Sequence, residues 1–542
     1  MTGWPEPTEL DRMLGDPRDP DNPCGFVAMV ARDAHERRPA ALAAAAGPAL
    51  GLSFVPTEHG GDLSSMDTTL LLARVAARRD ATIMHATMVS ITAVSCVLLA
   101  GSAAQRDRVV ELLRRGESIG FAFAERETGD EVLANSCLAE PTPDGFVLRG
   151  DKWMVGDGGR AGALLLVART GGRGPAAFST LLLDSDVVER ACGGMRRLGG
   201  MRGIGFADFH FAELRVPANT MVGARGRGLE TALRAMQVVR VMSTACSLGC
   251  ADTGLRLAMD FLRTRQAGEQ ARRELATAAA LLFAADAVAL AAARAMHVLP
   301  GVQSLWSAVV KHVVVDTTEE ILSRCANVLG NLAMVRDGPY AAFDVLRRDN
   351  ATVRFVDTSP AATERLIAAE LPRLTPHRTG PVDDRLAVVF GVDNPLPPLD
   401  FTALTLAGRG GDPLLDAVPV LAANVPATSR ARVLADALAA ALRAPVDDPA
   451  DAPHRLAFLH AAASCLALWH YTPRLPLGPD RLTWLTAVLE VLLARARRRV
   501  AALPTDQVDA VLRVADQLHR GERLYSVTAL PLCKGDDSDA CA

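Results

Sequence analysis

Lysine is almost missing from this 542-residue chain: Lys152, Lys311 and Lys534 are the only three, and arginine takes the basic role. The arginines are interspersed with Asp and Glu and the net charge is -4, so no massed positive face points to nucleic acid as a partner. Aromatic residues are scarce at 4%, which leaves Ala, Leu and Val to build the core and favours closely packed helices over a large aromatic-rich sheet. The ten cysteines form no CxxC pair and no Cys/His grouping at zinc-ligand spacing, and Cys246 and Cys250, one helical turn apart, have no second pair. Reduced thiols are the expectation. His59, His210, His297 and His312 are isolated in sequence, so no metal site is expected. The start, MTGWPEPTELDR, has neither the basic residues nor the apolar stretch of a secretory signal. The longest apolar run, Leu275 to Ala293, is Ala-rich and broken by Asp286, which suits a buried helix better than a membrane span. A cytoplasmic location follows as an expectation.

What is present is ample apolar residue, 49% of the chain, in a length that suggests three or four domains. Residues 1–118 read as helical, with an amphipathic stretch from Met66 to Ala77 behind the candidate caps Ser64 and Ser65, then Met88 to Ala100 and Ala104 to Arg114. Residues 119–228 change to short β-like runs, Phe146–Arg149, Leu164–Ala168, Phe178–Leu183 and Phe206–Phe211. In the last, Phe209 and Phe211 alternate with Asp208 and His210, as in a half-buried strand. Helical spacing returns over 229–372, in Leu248 to Leu262, Glu274 to His297, Ser307 to Val328 and Ala361 to Ala369, which implies a bundle. Residues 373–542 open with a Pro-, Gly- and Asp-rich linker over about 375–415, followed by four more expected helices at Ser429–Ala444, Arg455–Trp469, Arg481–Leu503 and Asp506–Arg520. The fold class is therefore α+β and multidomain, mainly α: an N-terminal helical domain, a small middle β-barrel domain, a four-helix bundle and an all-α C-terminal extension. The glycines of Gly223–Gly228 lie in no βαβ unit, so they read as a strand-to-helix connection rather than a phosphate cradle.

Several short signatures stand in a fixed order: Val55-Pro56 with Gly60-Gly61, Glu125 to Asn135, Gly150-Asp151-Lys152-Trp153, Arg215-Val216-Pro217, Gly226 to Arg240, and Arg348 to Arg365. In that order and spacing the chain resembles the acyl-CoA dehydrogenase family, flavoenzymes that remove two hydrogens from the α and β carbons of an acyl thioester. The resemblance spans about residues 51–370 and leaves the tail as an extension. Its finer matches, among them Ser247-Leu248-Gly249 and Ser307 to Lys311, resemble a bacterial, actinobacterial subgroup associated with specialised metabolism, whose acyl groups ride on coenzyme A or on an acyl carrier protein.

Such chemistry needs a base for the α proton and an electron sink facing the β hydride, which FAD supplies. The resemblance implies that Asp357, following the Arg348-Asp349 pair, is that base. The alternative base position beside Arg240 holds Val239, and the plain alternative for Asp357 is a cap for the helix that follows. The Gly that the family places after the base is Thr358. Flavin contacts are implied for Phe121, Phe123, Ala124, Gly129, Asp130, Trp153, Val155, Arg265, Asn327, Gly330, Asn331 and Ser359, and a place beside the substrate for Arg240 and Glu125. The family's usual Thr is Ala124, its Ser is Asp130, and the aromatic-Gly after the pyrophosphate arginine is reduced to Ala267-Gly268. The implied partners are an electron-transferring flavoprotein and further copies of the chain in a homodimer or homotetramer. The alternatives are a partly degenerate subunit that works beside a related chain in a heteromer, and a flavin monooxygenase on the same fold.

Overall fold

The computed structural model describes residues 5–129, 131–265, 268–374, 382–408, 410–446, 448–475 and 481–533. Its N-terminal part is helical for local reasons that the sequence displays. The helix Met66–Ala77 starts at Ser65, whose hydroxyl accepts from the Thr68 amide at 3.4 Å, and Ser64 lies outside it. The helix Ala103–Arg114 starts in a capping box: the Ser102 hydroxyl accepts from the Gln105 amide while the Gln105 side chain accepts from the Ser102 amide. The single helix expected over Met88–Ala100 is instead Ile83–Thr87, a 3-10 turn Met88–Ser90 and Ile91–Ala100. Thr87 causes the break, because its hydroxyl donates back to the Ile83 carbonyl at 2.8 Å while its backbone leaves the helical region at φ -134°.

The middle part is one mixed sheet of eight strands, β1 (Ile119–Ala122), β2 (Leu138–Thr142), β3 (Gly145–Val155), β4 (Ala163–Arg169), β5 (Phe178–Asp184), β6 (Cys192–Met195), β7 (Ala207–Pro217) and β8 (Met221–Val222). The order is β6-β7-β3-β2-β4-β5-β8, with β1 running parallel to β4 off that path. Phe209 and Phe211 are buried on one face of β7 and His210 is exposed on the other, the alternation expected of a half-buried strand. The β3–β7 ladder slips between Lys152/Phe209 and Val155/Ala207, so Trp153 and Met154 oppose Asp208 alone. Such a bulge turns side chains out of the regular alternation. It leaves Lys152 and Val155 buried and Trp153 36% exposed.

The helical half holds Gly228–Met242, Thr244–Arg263, Glu269–Val298, Gln303–Leu329, Ala342–Val353 and Pro360–Glu370. The long apolar helix Glu269–Val298 is enclosed by protein along the whole of its apolar stretch, as expected of a core helix. Its cover is the extension: helices Ala452–Tyr471, Arg481–Ala496 and Thr505–Arg520 all pack on it. The linker is pinned down as well. Arg294 donates to the carbonyls of Val388, Val389, Gly391 and Asn394 and pairs with Asp67 at 2.6 Å.

A buried ionic network closes this half. Asp252 accepts from Arg78 at 2.8 Å, Arg256 at 2.9 Å and the Tyr525 amide at 2.9 Å, with Arg74 at 3.4 Å. Asp286 pairs with Arg74 and accepts from Ser526 Oγ at 2.9 Å and the Val527 amide at 2.7 Å. The strap Leu524–Leu532 thus supplies backbone donors to two carboxylates of the bundle interior, and Tyr525 on it is fully buried.

Candidate active site

The first cluster lies where β1 and β3 meet the loop after β1. Lys152 Nζ donates to the Phe123 carbonyl at 3.0 Å and to Glu125 at 2.8 Å, and the Trp153 amide donates to the Ala124 carbonyl at 2.9 Å. These bonds knit residues 123–125 to the bulge. Phe121 and Phe123 stack with ring centroids 5.4 Å apart and remain half-buried beside it. Gly129 takes φ 52°, and a side chain there would meet nothing within 4 Å, so this loop faces open space.

Glu125, expected beside the substrate, faces inward instead. Besides Lys152, its carboxylate accepts from the Ser136 amide at 2.6 Å, the Ser136 hydroxyl at 3.0 Å and the Cys137 amide at 2.9 Å. Burial pushes this carboxyl up, but Lys152 and the amide donors outweigh it and hold it below the usual range. Val155, expected at the flavin, is turned into the sheet core and 1% exposed. Asp130 lies outside the described residues.

The second cluster lies at the end of helix Ala342–Val353. Asp357 is exposed and has φ 66°, and the Thr358 amide donates to the Val356 carbonyl at 2.8 Å. A hydrogen bond to the second residue back, around a residue with positive φ, is a γ-turn, a strained geometry that persists only when its surroundings impose it. The positive φ falls on Asp357 itself, and Thr358, which stands where the family places Gly, has no left-handed backbone. Capping of the next helix falls to Ser359, whose hydroxyl accepts from the Ala362 amide at 3.2 Å, so Asp357 is not that cap.

Two buried cations impose the turn. Arg240 Nε donates to the Thr358 hydroxyl at 3.0 Å, and Lys311 Nζ donates to the Val353 carbonyl at 3.0 Å and the Ser243 hydroxyl at 3.1 Å. Lys311 thus satisfies a carbonyl at the C-terminal end of the helix that leads into the turn. Burial pushes the Arg240 guanidinium down to about 10 and lowers the Lys311 ammonium, while the Asp357 charge works against both shifts. His85 belongs to the same neighbourhood and was not foreseen. It is buried and lowered by burial, with Asp357 opposing and Lys311 adding to the shift, and its ring lies 5.4 Å from Phe206. Lys311 did leave a sequence signal, being one of three lysines in the chain and set in the apolar run Val309-Val310-Lys311-His312-Val313.

A side chain at Gly156, next after β3, would touch Val89 and His85, and Met201 before β7 donates its amide to Asp349 at 2.5 Å. Gly200 sits so close to the Arg348 carbonyl that a Cβ would lie 2.1 Å from it. The segment after β3 thus approaches His85, and the stretch before β7 packs on helix Ala342–Val353. Arg265, Asn327, Gly330 and Asn331 are exposed at the ends of helices Thr244–Arg263 and Gln303–Leu329; Arg265 stacks over Phe261 at 4.6 Å, and Asn327 lines the cavity that also reaches Lys311 and Thr358.

The geometry can serve proton abstraction by a fixed carboxylate beside an exposed aromatic wall. A cavity of about 550 Å³ reaches Lys311 and Thr358 from the side of the extension. It also exposes what sequence spacing hid: His312 and His454, separated by 142 residues, meet there with Glu364.

Residues 120–214 match the family model for the acyl-CoA dehydrogenase middle domain, and residues 226–369 the model for its C-terminal domain. A mitochondrial isobutyryl-CoA dehydrogenase of Dictyostelium discoideum is 24% identical over 330 residues, 59% of this chain and 78% of that protein. Among solved structures, butyryl-CoA dehydrogenase from Megasphaera elsdenii superposes with a TM-score of 0.60 at 18% identity, covering 69% of this chain and 99% of that one. The prolyl acyl carrier protein oxidase AnaB does so with a TM-score of 0.59 at 17% identity, covering 67% of this chain and 97% of that one.

Proposed function

Because this chain belongs to the acyl-CoA dehydrogenase family, we propose that it is an FAD-dependent oxidoreductase that introduces an α,β double bond into an acyl thioester, with Asp357 as the base. The observation that carries the reading is the strained turn at Asp357, with Arg240 bonded to Thr358 and Lys311 to the Val353 carbonyl at the end of the helix that leads into it.

The aromatic wall fits a flat ring: Phe121, Phe123 and Trp153 are all partly exposed on one knitted patch. These residues, with the backbone from Ala124 to Gly129, would hold the isoalloxazine of FAD, and bound FAD supplies an acceptor for the β hydride. Arg265, Asn327, Gly330 and Asn331 would hold the pyrophosphate and adenine end for a second copy of the chain. Their exposure on the bundle surface supports that assignment and with it a homo-oligomer.

Within this chain Asp357 takes the α proton onto a carboxylate oxygen. Arg240 holds Thr358 so that the turn does not relax. Asp357 is exposed in the free chain, so the acyl group itself must exclude water from it. AnaB is named for an acyl carrier protein, and we extend that carrier, alongside coenzyme A, to this chain.

The test is a visible spectrum of the purified chain, with saturated acyl-CoA and acyl carrier protein thioesters added in turn. A yellow protein bleached by one of them supports the proposal, and Asp357→Asn should stay yellow without bleaching. Undiminished bleaching by that variant overturns the role of Asp357. A protein that is colourless until a related chain is added overturns independent turnover.

A further inference from the structure

Two buried histidines that take no part in this chemistry face each other where the bundle meets the extension. His312 projects from helix Gln303–Leu329 and His454 from helix Ala452–Tyr471, and they are 8% and 6% exposed. Nε2 of His312 is 3.2 Å from Nδ1 of His454, and Glu364 Oε1, from helix Pro360–Glu370, is 4.0 Å from that Nε2. All three ligand atoms lie within 4.8 Å of one another.

The other ring nitrogen of His454, Nε2, lies 3.0 Å from the Arg495 carbonyl oxygen. A carbonyl only accepts, so Nε2 carries the proton and Nδ1 turns its lone pair toward His312. That is the arrangement in which a backbone carbonyl fixes the tautomer of a metal-binding imidazole.

Two nitrogens bound to one ion at about 2.0–2.1 Å in tetrahedral geometry stand about 3.3 Å apart, close to the separation found here. The Glu364 oxygen closes the remaining distance by rotation about its side-chain bonds. The cavity lining carries cations as well as carboxylates, and two of the nearest arginines are engaged by acids. Asp316, one turn after His312, is paired with Arg495, and Arg498, 3.9 Å from Glu364, is also held by Asp451 at 2.6 Å. All three side chains line the 550 Å³ cavity, which gives an ion access and leaves one side of it open.

We propose that His312, His454 and Glu364 bind one divalent transition-metal ion of the zinc type, which ties the extension to the bundle and keeps a fourth position open to the cavity. Two imidazoles and one carboxylate form a donor set that selects zinc over calcium or magnesium. Neither the base nor the aromatic wall is involved, so this site stands or falls separately from the catalytic reading.

The test uses the full chain, stripped with a chelator, dialysed and titrated with Zn²⁺ against a chromophoric competitor. The expected result is one ion per chain, with affinity lowered at least about tenfold in both His454→Gln and Glu364→Gln. Because those variants could fail to fold, Co²⁺ is also titrated into the unaltered chain, where visible bands of a four-coordinate nitrogen and oxygen site are expected. A Co²⁺ spectrum like that of the aqueous ion overturns the proposal, and so does equal Zn²⁺ affinity in folded His454→Gln and the unaltered chain.

Discussion

Asp252→Asn is the sharpest test of how the helical half is held together. Four buried or half-buried cations, Arg74, Arg78, Arg79 and Arg256, are matched by Asp11, Asp252, Asp286 and Glu522. Removing the Asp252 charge leaves that set one positive charge in excess inside the protein, and the new amide NH₂ points a donor at guanidinium donors. Breaking one partner out of a buried ionic cluster costs about 3–5 kcal/mol. At about 2–4 °C per kcal/mol for a unit of 150–250 residues, the thermal midpoint should fall by at least about 6 °C. Circular dichroism at the helical minimum reads this directly. The pH dependence supplies a second check. Burial would raise the Asp252 carboxyl, but Arg256, Arg78 and Arg74 overwhelm it and hold it far below the carboxylate range. A depressed folded pKa gives stability that is present above the unfolded value of about 3.9 and is lost as pH falls below it. The gap between wild type and variant should therefore be constant from pH 5 to 8 and shrink only below about pH 4. A variant that melts within about 1 °C of wild type at neutral pH would show that Asp252 does not hold this cluster together.

Asp349 should behave with the opposite sign. Burial and the neighbouring Asp80 raise its carboxyl, so its contribution is full below the ordinary carboxylate range and is lost as pH rises through the raised value. Asp349→Asn should accordingly gain in melting temperature relative to wild type at pH 8 compared with pH 5, and an unchanged difference between the two would count against it. Glu125→Gln leaves Lys152 buried without its charge partner and should cost about 3–5 kcal/mol in the loop that bears Phe123 and Ala124. Limited proteolysis should then cut near residues 126–129, and a cleavage pattern equal to wild type would exclude that role. Thr358→Ala deprives buried Arg240 of its hydroxyl acceptor, a loss of about 1–3 kcal/mol, and should slow thioester-dependent bleaching without removing flavin. Bleaching at the wild-type rate would show that Arg240 does not hold the turn.

Elements whose cause is local were readable in the sequence. The helix after Ser65, the capping box at Ser102 and Gln105, and the alternation of Phe209 and Phe211 all rest on residues within a few positions of one another. The break at Thr87 needed a side-chain-to-backbone bond that apolar periodicity does not register. Resemblance alone nominates Asp357, and its strained turn left no sequence signal, because the cations beside it come from residues 240 and 311. The inward turn of Val155 follows the bulge at Trp153 and Met154, which depends on pairing with β7, and that of Glu125 follows its bonds to Lys152, Ser136 and Cys137, none of which a short motif displays. The linker of 375–415 shows the same limit, since a Pro- and Gly-rich stretch gives no hint that Arg294 will gather four of its carbonyls.

The strap from Leu524 to Leu532 has a consequence for biosynthesis. Asp252 and Asp286 leave the ribosome some 240–270 residues before the Tyr525, Ser526 and Val527 groups that hydrogen-bond to them. A nascent chain that has emerged only as far as the bundle still holds these acids short of donors and the long apolar helix without its lid, a state prone to sticking to its neighbours. The last partners of these two acids are thus made only when the final stretch of the chain has been synthesised.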